Sequence, residues 1–231
     1  YMAETSGIGS HGLSVLNLKS KKVQSIIPDD CHSVLNAMTS LNNPIPYAAG
    51  MECDGKKEII YFDQDNRDAQ ILSQLAPSFP DKTITLGNWT DANDRALLTI
   101  EDSSVVQEVF LLDLKQGALK PIGRTSNVPK DRLHKMVSKK FTTRDGESIY
   151  GYLTMPKGEV ERLIVYIHGG PYGIRDYDSY DFSEQYLASK GAAILKVNYR
   201  GSGGYGTDFM EDAFQEWGGR LLNDIADATK A

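Results

Sequence analysis

Leu163-Ile164-Val165-Tyr166-Ile167-His168-Gly169-Gly170-Pro171 and, further on, Ala192-Ala193-Ile194-Leu195-Lys196-Val197-Asn198-Tyr199-Arg200-Gly201-Ser202-Gly203-Gly204-Tyr205-Gly206 decide how this chain is read. Each stretch is a short apolar run rich in β-branched residues that ends in glycines. Such runs read as buried strands of a parallel sheet. The glycines let the backbone turn sharply and let another group come close to it.

The neighbouring segments fit that reading. Residues 137–143 and 148–155 form two strands joined through Arg144-Asp145-Gly146-Glu147, a tight Asp-Gly turn. Residues 162–167 make a third strand. Residues 178–190 make a helix with Phe182, Tyr186 and Leu187 on one face and Gly191 as its stop. Ala192 to Asn198 is the fourth strand. Thr207 is expected to cap a second helix, with Asp208 and Glu211 in its first turn. Its apolar positions are Phe209, Ala213, Phe214 and Trp217, then Leu221, Leu222 and Ile225, with an interruption at Gly218-Gly219. The order β-β-β-α-β-α belongs to a sheet passing from hairpin to crossover connections. His-Gly-Gly after the third strand of an α/β-hydrolase sheet is where backbone N–H groups form half of an oxyanion hole.

His168-Gly169-Gly170-Pro171, then the run from Ala188 to Gly206, then Glu216-Trp217-Gly218-Gly219 with Asn223-Asp224 after it, occur in one order. In this the chain resembles the prolyl oligopeptidase family of serine peptidases over residues 137–231, its acylaminoacyl-peptidase and dipeptidyl-peptidase branches above all. The resemblance implies an α/β fold plus an all-β one, a β-propeller in front of an α/β-hydrolase domain. It implies proteolysis of short peptides through an acyl-enzyme, with Gly170 and its neighbour Gly169 in the oxyanion hole. His168 and Pro171 would support that turn, and Tyr172 after it reads as lining the pocket or as surface packing. Arg200 and Asp224 would form a structural ion pair. The dipeptidyl-peptidase branch carries a tyrosine where His168 stands, so the histidine favours the acylaminoacyl type.

A nucleophile elbow reads G-x-S-x-G, with Asp or Glu and then His following in the chain. No serine here sits in that pattern: Ser10, Ser148, Ser189 and Ser202 each lack one of the glycines, and neither cysteine replaces them. The triad is therefore expected downstream of Ala231, and the 231 residues alone are expected to be inactive. His168 precedes any such serine, so it is not read as the catalytic base. The expected division is 1–128 for C-terminal propeller blades and 129–231 for the start of the hydrolase domain.

Residues 1–128 read as all-β. Leu13 to Leu18, a polar turn at Lys19 to Lys22, and Val23 to Ile27 make a hairpin pattern that returns at Val109 to Leu114 and Leu119 to Ile122. Leu18 and Leu114 lie 96 residues apart, and Asp63 stands 46 after Asn17 and 50 before Asp113. A period of that size falls among propeller repeats. An inner strand is expected before each hairpin, at Ala96 to Ile100 and at Tyr47 to Met51. Asp68 to Ala76 reads as a short amphipathic helix ending before Pro77. Residues 123–136 are polar and read as the boundary, with His134 solvated.

The net charge of −6 without a basic block speaks against nucleic acid as a partner. No apolar run reaches the roughly 20 residues needed to span a bilayer. Cys31 and Cys53 match no metal or redox spacing and read as buried free thiols or as a pair. No cofactor is implied. Short peptides are the expected substrates, and a homo-oligomer is compatible with the sequence. Two other readings share these features: a carboxylesterase or lipase using the same His-Gly-Gly turn, and a non-catalytic propeller binding module.

Overall fold

The computed structural model describes residues 2–5, 11–27, 33–40, 43–53, 56–80, 82–103 and 105–231. Three antiparallel sheets come first in the chain. The first holds β1 (Met2–Thr5), β2 (His11–Leu16) and β3 (Val23–Ile27), in that order. The second holds β4 (Ser33–Ser40), β5 (Asn43–Cys53) and β6 (Lys56–Tyr61). Helix α1 (Arg67–Leu75) follows. The third sheet is a four-stranded meander of β7 (Thr83–Trp89), β8 (Arg95–Asp102), β9 (Val105–Asp113) and β10 (Ala118–Arg124). Helix α1 is capped by the Asn66 side chain, which accepts from the Asp68 and Ala69 N–H groups, and it buries Ala69 and Leu72.

The sequence repeat has a physical counterpart. Asn17 and Asp63 follow strands β2 and β6, Asp113 ends the corresponding strand β9, and each folds the turn beyond it with its own side chain. Asn17 Oδ1 accepts from the Lys19 and Ser20 N–H groups at 3.0 Å, Asp63 Oδ1 from Asp65 at 3.2 Å, and Asp113 Oδ1 from Gln116 at 3.1 Å. Ala96 to Ile100 and Tyr47 to Met51 lie in β8 and β5. Neither is the first strand of its sheet: β7 and β4 precede them, so the expected inner strand is the second one.

Successive sheets share buried faces. Leu13 and Ile27 of the first pack with Ala49 and Met51 of the second. Tyr47 and Ala48 of the second pack with Ala69 and Leu72 of α1 and with Ile84, Leu98 and Ile100 of the third. Each fully buried aliphatic side chain contributes about 1.5–3 kcal/mol. Cys31 lies outside the described residues. Cys53 ends β5, but its side chain is not among those described.

The last strands and helices are β11 (Met136–Thr142), β12 (Ser148–Thr154), β13 (Arg162–Val165), α2 (Phe182–Ala188), β14 (Ala192–Asn198), α3 (Thr207–Glu211) and α4 (Arg220–Lys230). The sheet order is β11-β12-β14-β13. The last strand inserts between two earlier ones, antiparallel to β12 and parallel to β13. Every residue of β14 is buried. Leu195 and Val197 pack on α4 through Leu221 and Ala228, while Ile194 meets Ala188 of α2 on the other side.

Several local expectations change. Strand β13 stops at Val165, although the Tyr166 N–H still donates to Leu195 O at 2.8 Å. Helix α2 begins at Phe182, capped by Asp181, and it buries Glu184, Gln185 and Ala188 while Phe182 and Tyr186 are exposed. The reason lies in β14. Lys196 is buried there, and Glu184 turns inward to pair with it while accepting from the Thr154 hydroxyl at 3.1 Å. An unpaired charge at that depth costs more than two exposed aromatic rings. Thr207 is the first residue of α3 rather than its cap, and no side chain caps that helix. His134 is buried, not solvated. Its backbone N–H donates to Gln185 Oε1 at 2.7 Å, and its carbonyl accepts from Gln185 Nε2 at 3.0 Å.

Candidate active site

Residues 168–175 leave the end of β13 and lie against the glycine loop that leaves the end of its neighbour β14. Backbone bonds stitch the two loops together: Gly173 N–H donates to Gly201 O at 2.9 Å, and Gly203 N–H to Ile174 O at 3.1 Å. A Cβ built on Gly203 would stand 2.5 Å from Gly173 O, so only glycine permits the contact. Gly170 has φ +135°, and a Cβ there would meet Tyr172 N at 3.1 Å. A Cβ on Gly169 would meet nothing within 4 Å. The bond from Gly170 to Pro171 is cis.

His168 sets the orientation of the turn. Its Nδ1 lies 2.8 Å from Gly169 O, which can only accept, so Nδ1 carries the proton. The neutral ring then leaves Nε2 to accept from the Ser202 hydroxyl, 3.0 Å away. The ring stacks on Tyr199 at 4.6 Å, and the Tyr199 hydroxyl donates to His168 O at 3.1 Å. Burial pushes the Tyr199 hydroxyl pKa up, and the charge of Asp176 adds to it. In a trans peptide the C=O and N–H point in opposite directions. By holding Gly169 O, His168 therefore aims the Gly170 N–H the other way, toward the exposed side of the turn. Neither the Gly169 nor the Gly170 N–H has an acceptor among the described residues.

His168 and Ser202 have the atoms of a base and a nucleophile, but Ser202 is completely buried. No substrate carbonyl reaches its Oγ, so the pair is a brace under the turn. Tyr172 continues the loop. Its hydroxyl donates to Ala213 O at 3.2 Å and accepts from Trp217 Nε1 at 2.7 Å, and its ring meets Phe214 edge-on at 4.9 Å.

Below the loops, Arg200 is buried and held from two sides. Its guanidinium donates to both Asp224 oxygens, at 3.0 and 2.5 Å, and to both Asp145 oxygens, at 2.6 and 3.2 Å. The Arg200 backbone N–H also donates to Asp224 at 3.0 Å. Hydrogen bonds from Arg200, then from Thr143, hold the Asp145 carboxyl down at about 2. Asp224 ties α4 to the start of the glycine loop, and Asp145 adds the β11–β12 turn.

No local pattern in the chain announces one further cluster. Arg175 Nη2 donates to Glu52 Oε1 at 2.7 Å, to the Tyr205 hydroxyl at 2.8 Å and to the Tyr152 hydroxyl at 3.2 Å. Its guanidinium also lies over the Tyr205 ring, 4.4 Å from the centroid. Burial alone would lower the Arg175 pKa, but Tyr205, Glu52 and Tyr152 outweigh it and raise it. Among the described residues no group of His, Cys, Asp or Glu is placed to hold a metal ion. No helix among them is long and apolar enough to cross a membrane.

Residues 178–231 match the sequence model of the Prolyl oligopeptidase family. The chain is 36% identical over 100 residues, 39% of its length, to dipeptidyl aminopeptidase BIII of Pseudoxanthomonas mexicana. It is 35% identical over 177 residues, 77% of its length, to dipeptidyl peptidase family member 6 of Caenorhabditis elegans. It spans only 14% and 20% of those two relatives. Among solved structures, a puromycin-hydrolyzing peptidase of Mycobacterium tuberculosis superposes on 97% of this chain, which covers 35% of that structure, with a TM-score of 0.68 at 18% identity. That last likeness takes in the first three sheets as well as the last one. The fold is a partial β-propeller followed by the N-terminal part of an α/β-hydrolase domain. Over residues 178–231 the chain is similar to the prolyl oligopeptidase family.

Proposed function

We propose that the longer protein to which these residues belong is a serine peptidase acting on short peptides through an acyl-enzyme. Residues 1–128 are blades of its propeller and residues 129–231 open its hydrolase domain. The Gly170 N–H, with the Gly169 segment beside it, supplies one half of the oxyanion hole. The nucleophile, its acid and its histidine lie outside these 231 residues, which contain no G-x-S-x-G. The observation that carries the reading is the Gly169–Gly170 peptide: its carbonyl is held by His168, and its N–H faces outward without an acceptor among the described residues. A tetrahedral intermediate needs a donor held in place before its charge develops, and such a donor is worth about 2.7–4 kcal/mol. His168 and Pro171 fix the turn. Tyr172, with Phe214 and Trp217, offers an apolar wall beside it.

The test is turnover by the longer protein of N-acetyl-alanyl and dipeptidyl p-nitroanilides, with p-nitrophenyl acetate as the ester control. The reading expects anilide hydrolysis that a serine-directed phosphonate abolishes. Ester hydrolysis alone would favour a carboxylesterase, and no phosphonate-sensitive turnover would favour a binding module.

A further inference from the structure

We propose that Arg175 and Glu52 are a positioning pair: an ion pair across the two parts of the chain that holds the loop bearing Gly170 in its working place. The inference rests on the oxyanion role proposed for that loop and adds a residue of the propeller part to the machinery that serves it.

Glu52 stands in β5 of the second sheet and Arg175 five residues after Gly170, so 123 residues separate partners whose side chains are each only 2% exposed. The loop has two other anchors, both at its beginning and middle. His168 rests on Ser202 and Tyr199, and residues 173 and 174 bond to the glycine loop. Arg175 is the anchor at its far end. It reaches Glu52 in β5, Tyr152 in β12 and Tyr205 in the glycine loop through one nitrogen. Asn198 Nδ2 donates to the same Tyr205 hydroxyl at 2.8 Å, and its Oδ1 accepts from the Asp176 N–H at 2.8 Å, so the next residue is fixed as well.

Stability alone is a poor reason for this arrangement. A buried ion pair gains little over well-packed apolar residues of the same size. Arg175 Nη1 is moreover buried with no acceptor among the described residues, which packing for stability would avoid. A planar guanidinium with directed donors fixes a position, as an apolar contact does not. The contact also makes the loop's place depend on the second sheet, so a shift of the propeller against the hydrolase part would reach the Gly170 N–H through this side chain.

The experiment uses the longer protein and the variants Glu52→Gln, Arg175→Met and Arg175→Lys. A displaced catalytic loop costs up to about 100-fold in rate. Glu52→Gln and Arg175→Met are expected to lower kcat on a peptide p-nitroanilide by about 10- to 100-fold, with KM changed by less than about threefold. Arg175→Lys, which keeps the charge, should recover part of that loss. Hydrogen exchange of residues 168–174 should quicken in Glu52→Gln, a nearly isosteric change. A kcat within about twofold of wild type in Glu52→Gln and Arg175→Met, or unaltered exchange in Glu52→Gln, overturns the proposal. Should Arg175→Met fail to fold, Glu52→Gln decides by both readouts. A wild type without phosphonate-sensitive turnover would sink the peptidase reading itself, and the exchange measurement would still judge the clamp.

Discussion

His168 Nε2 and Ser202 Oγ stand 3.0 Å apart, and the serine of that pair has no exposed surface. The spacing is that of a base and the nucleophile it activates, yet burial assigns both to supporting the turn. Gly203, the residue after Ser202, lies against Gly173 so closely that its Cα faces a carbonyl, and this seals the hydroxyl beneath the loop.

In the longer protein Ser202→Ala is therefore expected to leave phosphonate labelling intact and to lower kcat/KM by no more than about tenfold, the worth of one neutral hydrogen bond. Loss of a true nucleophile costs about 10⁶-fold. A drop of that size, with labelling abolished, would show that Ser202 is the nucleophile after all.

Asp224→Ala should destabilise the protein by about 3–5 kcal/mol, because it strips a buried guanidinium of one of its two carboxylates. Replacing Arg200 and Asp224 together by leucine should cost much less than the sum of the single changes. Urea unfolding of the single and double variants measures both. Additive losses would mean that the pair is not coupled as its geometry requires.

Acid should weaken the same region in a defined window. Asp227 is held down at about 2, first by the Arg144 side chain and then by the Arg144 N–H, and Asp145 stands at about 2 as well. Aspartate in the unfolded chain titrates near about 3.9. The folded values lie below that, so this stabilisation is complete above the unfolded value and is lost as pH falls through the folded one. The urea midpoint is expected to fall between about pH 4 and pH 2 on this account, and Arg144→Gln should fall less steeply. The Arg144 side chain is half exposed, so salt should shrink the difference. Parallel curves for wild type and Arg144→Gln would contradict the assignment.

Much of this was legible in the sequence where local pattern and global place agree. Ala192 to Asn198 is buried on both faces, so a run apolar but for Lys196 and Asn198 marks it residue for residue. The Asx positions 17, 63 and 113 carry the repeat because each turn is folded by its own side chain. Strand β7, Thr-Ile-Thr-Leu-Gly-Asn-Trp, has no clear strand pattern, since Gly87 and Asn88 interrupt its alternation. The inward face of α2 is not the one the local pattern suggests, because it is set by Lys196, a residue of another element. A lysine inside an otherwise apolar buried strand was the one sign that a carboxylate had to come from somewhere. Glu52 and Arg175 carried no such sign. Their pairing is a fact of tertiary structure, and nothing near either residue in the chain announces it.

The account depends most on the Gly169–Gly170 peptide, and the direct measurement is kcat/KM of the longer protein for a peptide p-nitroanilide in Gly170→Val and His168→Ala, each checked for folding by near-ultraviolet dichroism. Valine at φ +135° crowds Tyr172 N and displaces the donor, so Gly170→Val should lose about 10²- to 10³-fold. His168→Ala removes one hydrogen bond that aims the peptide and should lose about tenfold. His168→Ala without turnover beside a folded Gly170→Val near wild type would contradict the oxyanion assignment.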